Sequence, residues 1–238
     1  MSDPRFSVLI PARGAAGFLE ECLGSVVAQE EFKGGSCEIL LGVDACEETL
    51  QAALLLKPRF DALRILWMPV HGGPYLARNT LAYQARSEYL VFFDADDIML
   101  PGLGAWCEKR YAHAQAAKFP FAMFANGRIG GHLFRAGANG VFGIRRDSFM
   151  ALGAFKVWPC TADSEFQLRA SRMFGPPSAS PDLLFLYRRH RGSVTASKLY
   201  GGRSAKRIKL RMKVKALATG GDFPLRVEPL VAKFEEVE

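Results

Sequence analysis

The chain has 238 residues, 49% of them apolar and 23% charged, with a formal net charge of +7. That length supplies a core large enough for one α/β domain to fold without disulfides, and the composition excludes a disordered or fibrous chain. No apolar run approaches the roughly 20 residues that span a bilayer, and the start, "MSDPRFSVLIPARG", lacks a signal-peptide layout. A cytoplasmic protein, at most peripheral to a membrane surface, is therefore expected.

In chain order, "FSVLIP" (6–11) reads as a buried strand, and "GFLEECLGSVVAQ" places Phe18, Leu19, Cys22, Leu23, Val26 and Val27 on one helical face. "CEILLGV" (37–43) is a second strand and "EETLQAALLL" a helix. "LRILWM" (63–68) is a third strand. "GPYLARNTLAYQAR" is a helix opened by Gly73 and Pro74, since proline is tolerated in a first helical turn. "YLVFF" (89–93) is a fourth strand, which runs straight into Asp94, Asp96 and Asp97. Strand–helix alternation at this spacing predicts a mainly parallel sheet with helices on both faces. Ligands of such sheets sit beyond the carboxyl ends of the strands, where Asp44 and Asp94 fall.

Residues 102–117 are predicted helical. Beyond them, 119–160 are rich in Gly and Phe and read as irregular. "TADSEFQLRA" (161–170) sets Asp163 and Glu165 just before a short helical pattern, and "YRRHRGSVTAS" (187–197) gathers Arg188, Arg189, His190 and Arg191 ahead of a Gly-Ser turn and Thr195. The five cysteines, Cys22, Cys37, Cys46, Cys107 and Cys160, form no CxxC pair and are odd in number, so reduced thiols and no structural zinc are expected.

Three carboxylates at a strand end need water or a cation, because an ionised carboxylate resists unpaired burial. A D-x-D there can place two hard oxygen donors around manganese or magnesium, which in turn neutralises a diphosphate. The alternative is a solvated turn with Asp97 capping the next helix. The pair Asp163 and Glu165 is open to two readings as well, with one of the two acting as a general base or as an acid capping a helix N-terminus. GxGxxG, GxxxxGK[ST] and GxSxG are all absent, which removes support for a nicotinamide enzyme, a P-loop ATPase and an α/β-hydrolase.

Charge is segregated. Residues 188–215 hold 11 Lys/Arg and no acid, whereas residues 1–187 hold 18 Lys/Arg against 19 Asp/Glu. In "KLYGGRSAKRIKLRMKVK" (198–215), Ile208, Leu210, Met212 and Val214 alternate with cations at a strand period, yet the composition favours helix. Such a segment fits an anionic membrane surface, a nucleic-acid backbone or plain solvent.

In this order the motifs resemble the family 2 glycosyltransferases of the GT-A fold, from about residue 6 to about 197. "FSVLIPARGAAGFLEECLGSVVAQ" is similar to that family's first strand and helix, "EILLGVDACEET" to its second strand with the nucleotide-contacting acid, and "GGPYLARNTL" to its glycine-then-Ala-Arg-Asn segment. "FFDADDIMLPG" matches its strand and D-x-D, "IRRDSFMALGAF" resembles the segment leading to the acceptor side, and "YRRHRGSVTAS" its late basic segment. The sequence departs from the pattern at Arg13 and Gly14, where the family often has Tyr-Asn, and at Ala162, where it has the first of two acids; the Arg13 guanidinium offers a stacking surface in place of the aromatic ring.

The resemblance implies a GT-A (Rossmann-like) α/β domain over 1–197, divided into a nucleotide-binding half (1–100) and an acceptor-side half (101–197), followed by a basic C-terminal extension (198–238). It implies an inverting, metal-dependent transfer of a sugar from a nucleotide diphosphate, UDP above all, to an acceptor hydroxyl of a glycan or lipid-linked saccharide. Asp94 and Asp96 would hold the divalent cation, manganese or magnesium, and Asp163 would be the base. Pro11, Arg13, Asp44, Gly73, Arg78, Asp94, Arg188 and His190 would bind the donor. Residues 198–215 would meet a polyanionic acceptor or the surface that carries it. A transferase acting on modified bases in DNA, and a non-catalytic nucleic-acid-binding module on a degenerate version of the fold, are the alternatives.

Overall fold

The computed structural model describes residues 3–193, 196–219 and 224–237. Four parallel strands form its centre: β1 (Phe6–Ala12), β2 (Cys37–Asp44), β3 (Leu63–Met68) and β4 (Tyr89–Phe92). They lie in the order β4-β1-β2-β3, with Phe6 opposite Cys37 on one side and Tyr89 on the other. The chain winds outward through helices α1 (Leu19–Val27) and α2 (Glu47–Leu56), then returns across the sheet through α3 (Pro74–Gln84).

Side-chain alternation along the strands feeds two cores. Phe6, Val8 and Ile10 of β1 join Leu19, Leu23 and Val26 of α1 and Ala53 of α2 on one face. Leu9 joins Leu40, Leu66 and Leu81 on the other. Ser7 points toward that second face and is fully buried, but its hydroxyl meets Glu38 and Ser87, each at 2.6 Å, so its burial leaves no orphan. Helices on both faces of a mainly parallel sheet are thus realised, and the reversal of strand order falls between β1 and β4, where such folds open a crevice.

The expected helix over 102–117 is shorter, α4 (Leu103–Arg110). Its last residues are taken by β6 (Ala117–Lys118), because Ala116, Ala117 and Phe119 are buried and pairing in the sheet outweighs helix propensity. The stretch 119–160 is not irregular. A two-residue strand, β5 (Ile98–Met99), precedes α4, and β7 (Phe121–Ala125), β8 (Arg128–Phe134), β9 (Phe142–Arg145) and helix α5 (Arg146–Ala151) follow β6. β9 runs antiparallel to β4 and extends the main sheet, and β6 continues it. Then come α6 (Ala162–Phe174), β10 (Ser178–Ala179), β11 (Phe185–Arg188), α7 (Ala205–Thr219) and β12 (Glu235–Val237). β11 sits between β5 and β7 in a second, four-stranded sheet that ends at β8.

The C-terminal residues belong to this core. β12 adds antiparallel to β3, and Arg64 holds both carboxylate oxygens of Glu236. Upstream, the Val227 N–H donates to Leu152 O, and a side chain at Gly153 would begin 1.7 Å from Val227 O. Residues 224–237, expected to belong to an extension beyond 197, thus contact the preceding domain at β3, at Leu152 and, through the Ala232 N–H, at Thr80. Within the basic segment the helical alternative is the one formed: α7 turns Ile208 and Met212 outward and packs beside α6.

Candidate active site

The crevice beyond the ends of β1, β2 and β4 is built from three carboxylate clusters and the loops that hold them. Asp44 ends β2 and is 4% exposed. Its Oδ1 accepts the Gly72 N–H at 2.8 Å, and its Oδ2 accepts Gly73 N–H at 2.9 Å and meets His71 Nδ1 at 2.8 Å. Gly73 has φ of 82°, a backbone state that favours glycine, and this lets two successive N–H groups turn onto one carboxylate. In Asp44, expected to bind the donor, both oxygens are engaged by the loop before α3, and His71, which no sequence pattern marks, stands exposed over it. Pro11 lies in β1, next to Gly42 of β2. Just beyond the strand, Arg13 donates to Asp44 O at 2.6 Å and Ala45 O at 2.5 Å, clamping the ends of β1 and β2 together.

Arg78, from α3, is 4% exposed and reaches Asp94 Oδ1. Arg78, expected to bind the donor, thus sits against the first carboxylate of the D-x-D. Burial works against the Arg78 charge, but Asp94, Tyr75 and Asp163 outweigh it and raise its pKa further. Asp94 shows the opposing pull: burial raises its pKa, Arg78 lowers it, and Asp96 and Asp163 raise it again.

Asp96 places Oδ2 2.8 Å from His190 Nε2. Arg188, at the end of β11, donates through Nε to Asp96 O at 2.7 Å and through Nη2 to Glu21, and its guanidinium lies over Phe18 and Phe124. Arg188, expected to bind the donor, thus braces the D-x-D turn through Nε and Nη2, and Arg189 and Arg191 are the exposed cations of that segment. The His190 ring lies tilted against Phe18, 4.6 Å between centroids. Asp97 is 1% exposed and caps no helix; its Oδ1 accepts the Arg188 N–H at 2.8 Å while burial, then Asp94 and Asp96, push its pKa well up. Thr195 lies outside the described residues.

Asp163 lies in the first turn of α6, where its Oδ1 accepts the Ser164 N–H at 2.7 Å. Its Oδ2 borders Gly140 together with the Arg78 guanidinium: a Cβ at Gly140 would lie 3.4 Å from the one and 3.2 Å from the other. The Tyr75 phenol, buried beside them, has its pKa raised by burial and by the Asp163 charge. Asp94, Arg78 and Asp163 thus form one electrostatic cluster that draws on β4, α3 and α6. Glu165, the neighbouring acid, takes no part. It is fully buried, held by Arg169 at 3.0 Å through both oxygens and by Lys156 at 3.0 Å, and Arg169 continues to Leu152 O and Ala154 O.

Two carboxylates two residues apart, with side chains 30% and 26% exposed and Asp96 raising the pKa of Asp94, suit a hard divalent cation. Among the described residues no three His, Cys, Asp or Glu side chains close into a metal cage. The donor set instead fits an ion whose remaining positions are filled by phosphate oxygens and water, the usual habit of magnesium and manganese.

The crevice lies at the strand-order reversal of a mainly parallel α/β sheet, the place where such folds bind ligands. The model of the glycosyl transferase family 2, a family of sugar-transferring enzymes, matches residues 7–153, and the chain belongs to that family. A poly(ribitol-phosphate) β-N-acetylglucosaminyltransferase, TarS of Staphylococcus aureus, is 30% identical over 96 residues, which are 39% of this chain and 16% of TarS. The solved TarS fragment 1–349 in complex with UDP-GlcNAc superposes with a TM-score of 0.64 at 18% identity, covering 79% of this chain and 60% of that one. A mannosyltransferase of Pyrobaculum calidifontis in complex with GDP-Man and manganese gives 0.71 at 19% identity, covering 94% and 67%. The chain therefore spans a small part of the curated relative it matches. Among the described residues no helix is long and apolar enough to cross a membrane.

Proposed function

We propose that the protein transfers a sugar, with inversion, from a nucleotide diphosphate sugar to an acceptor hydroxyl, with UDP as the expected nucleotide and a divalent cation at Asp94 and Asp96. The observation that carries this reading is the Asp94–Arg78–Asp163 cluster at the strand-order reversal of the sheet. When bound, manganese or magnesium would neutralise the diphosphate as it departs. The side chains divide the remaining work. Arg78 pairs with Asp94 and opposes the rise in its pKa that burial causes, and His190 and Arg188 fix Asp96 and the turn around it. The nucleotide would lie over Pro11 and Arg13, beside the His71–Asp44–Gly73 loop. Asp163 would take the proton of the attacking hydroxyl, through the oxygen that is not engaged by the Ser164 N–H.

The acceptor is expected to be anionic or carried on an anionic surface, met through 198–215. The charge of that segment supports this, and so does the acceptor in the name of TarS. A phosphate-bearing glycan or lipid-linked saccharide is favoured over DNA, because Tyr200 is the one aromatic residue in the segment and stacking of bases needs more. The five free thiols support a reducing, cytoplasmic setting.

Calorimetry of UDP with manganese tests the reading. Asp96→Ala should abolish the metal-dependent part of UDP binding while the thermal transition persists. Unchanged manganese and UDP affinity in that variant would remove the D-x-D from the site.

A further inference from the structure

A cavity of about 480 Å³ opens beside the Asp163 end of α6, between that helix, α7 and the loop before β9. Among the described residues no acidic side chain lines it, and three cations do: Lys118 from β6, with Arg211 and Lys215 from α7. Arg211 and Lys215 are four residues apart and so share one helical face. Among the described residues neither has an ion-pair partner. Lys209 and Lys213 occupy a different face, and Lys213 lies over the Trp158 ring, 5.1 Å from its centroid. The strong charge of the basic segment is therefore partitioned by the helix, with one pair turned into a cavity.

Two buried polar side chains complete the wall. Lys118 is 4% exposed and gives two of its three protons to Ala138 O at 3.1 Å and Asn139 Oδ1 at 3.0 Å. Gln167 is 7% exposed and lines the same cavity; its Nε2 faces Asn139 O, while its Oε1 has no partner among the described residues. A buried acceptor without a donor is costly, and an incoming hydroxyl would satisfy it. The cavity is also wired to the candidate base. Asn139 Nδ2 donates to Ser164 Oγ at 3.0 Å, and Ser164 N–H donates to Asp163.

We propose that this cavity is a subsite for a phosphate group that carries a neighbouring hydroxyl, held by Lys118, Arg211 and Lys215 with the hydroxyl on Gln167. It rests on the transferase reading for its purpose, which is to seat a phosphorylated acceptor beside Asp163, but its chemistry stands on its own residues. Three cations around one concavity match the charge and the acceptor oxygens of a phosphate, and a charge-assisted hydrogen bond is about twice as strong as a neutral one.

The test titrates sn-glycerol 3-phosphate and, separately, inorganic phosphate into the full chain by calorimetry, in EDTA so that a cation-dependent diphosphate site is silent. Glycerol 3-phosphate should bind saturably and more tightly than inorganic phosphate. Arg211→Gln with Lys215→Gln should weaken it by about tenfold or more, and Gln167→Leu should remove the advantage over inorganic phosphate. Lys209→Gln with Lys213→Gln should change it by less than about twofold, because neither lysine lines the cavity. Absence of saturable binding, or equal losses in the two paired variants, overturns the subsite. In EDTA-free aliquots of the same protein, the rise in melting temperature with UDP and manganese reports the donor site. Failure there with phosphate binding intact sinks the transferase reading and leaves the cavity; the reverse result sinks the cavity alone.

Discussion

Asp163→Asn separates the two things this carboxylate can do. As an acid at a helix N-terminus it accepts the Ser164 N–H at 2.7 Å, and an asparagine carbonyl can accept the same bond. What the amide loses in that role is charge near the helix dipole, worth about 0.3–1 kcal/mol. For a chain of this size about 1 kcal/mol moves the melting temperature by roughly 2–4 °C. As a base, the carboxylate must take a proton, and an amide cannot. Loss of general-base catalysis costs about 10²–10⁴-fold in rate, which corresponds to about 3–5 kcal/mol of barrier. The expected outcome is a melting temperature within a few degrees of the parent, donor affinity nearly unchanged because Asp94 still pairs with Arg78, and transfer slowed by at least about a hundredfold. Stopped assays of sugar transfer under saturating donor, alongside calorimetry of UDP binding, read all three. Transfer at the parent rate would refute the base assignment and leave Asp163 as a helix-terminal acid.

Glu165→Gln should damage the fold rather than the chemistry: it leaves the fully buried Arg169 without its carboxylate, a loss of about 3–5 kcal/mol. A scan of thermal unfolding checks this, and lost turnover with unchanged melting temperature would contradict it. Lys118 gives a pH signature. Burial holds its pKa down to about 8 from 10.5, with Asp163 pulling the other way. Because the unfolded chain binds the proton more tightly, this residue's contribution to stability rises as pH climbs from about 8 to about 10.5. Lys118→Met should flatten that rise in urea titrations taken across this range; an identical pH slope in the variant would show that Lys118 is not the source.

Much of the crevice could be read from residue order. Strands β1 to β4 emerge within a residue or two of their expected ends, because each is a short apolar run closed by a turn, and the period-two alternation that feeds two cores is written in their side chains. The acids at their ends, Asp44 and Asp94, follow from the same pattern, since a parallel sheet delivers its strand ends to one side. What each acid and cation touches was decided only by folding. Arg78 pairs with Asp94, Arg188 is spent on Glu21 and the Asp96 carbonyl, and Asp44 binds two backbone N–H groups; the partners lie 16, 167, 92 and 28 or 29 residues apart. Sequence pattern records local periodicity, and it carries no signal for contacts of that separation. The same reason explains the second half. The strands of 117–145 are fixed by pairing with β4 and β11 rather than by their own Gly- and Phe-rich composition. The basic segment shows the division most plainly: its charge was evident from the sequence alone, but only the helical turn, placing Arg211 above Lys215, decided which of its cations face a cavity and which face water.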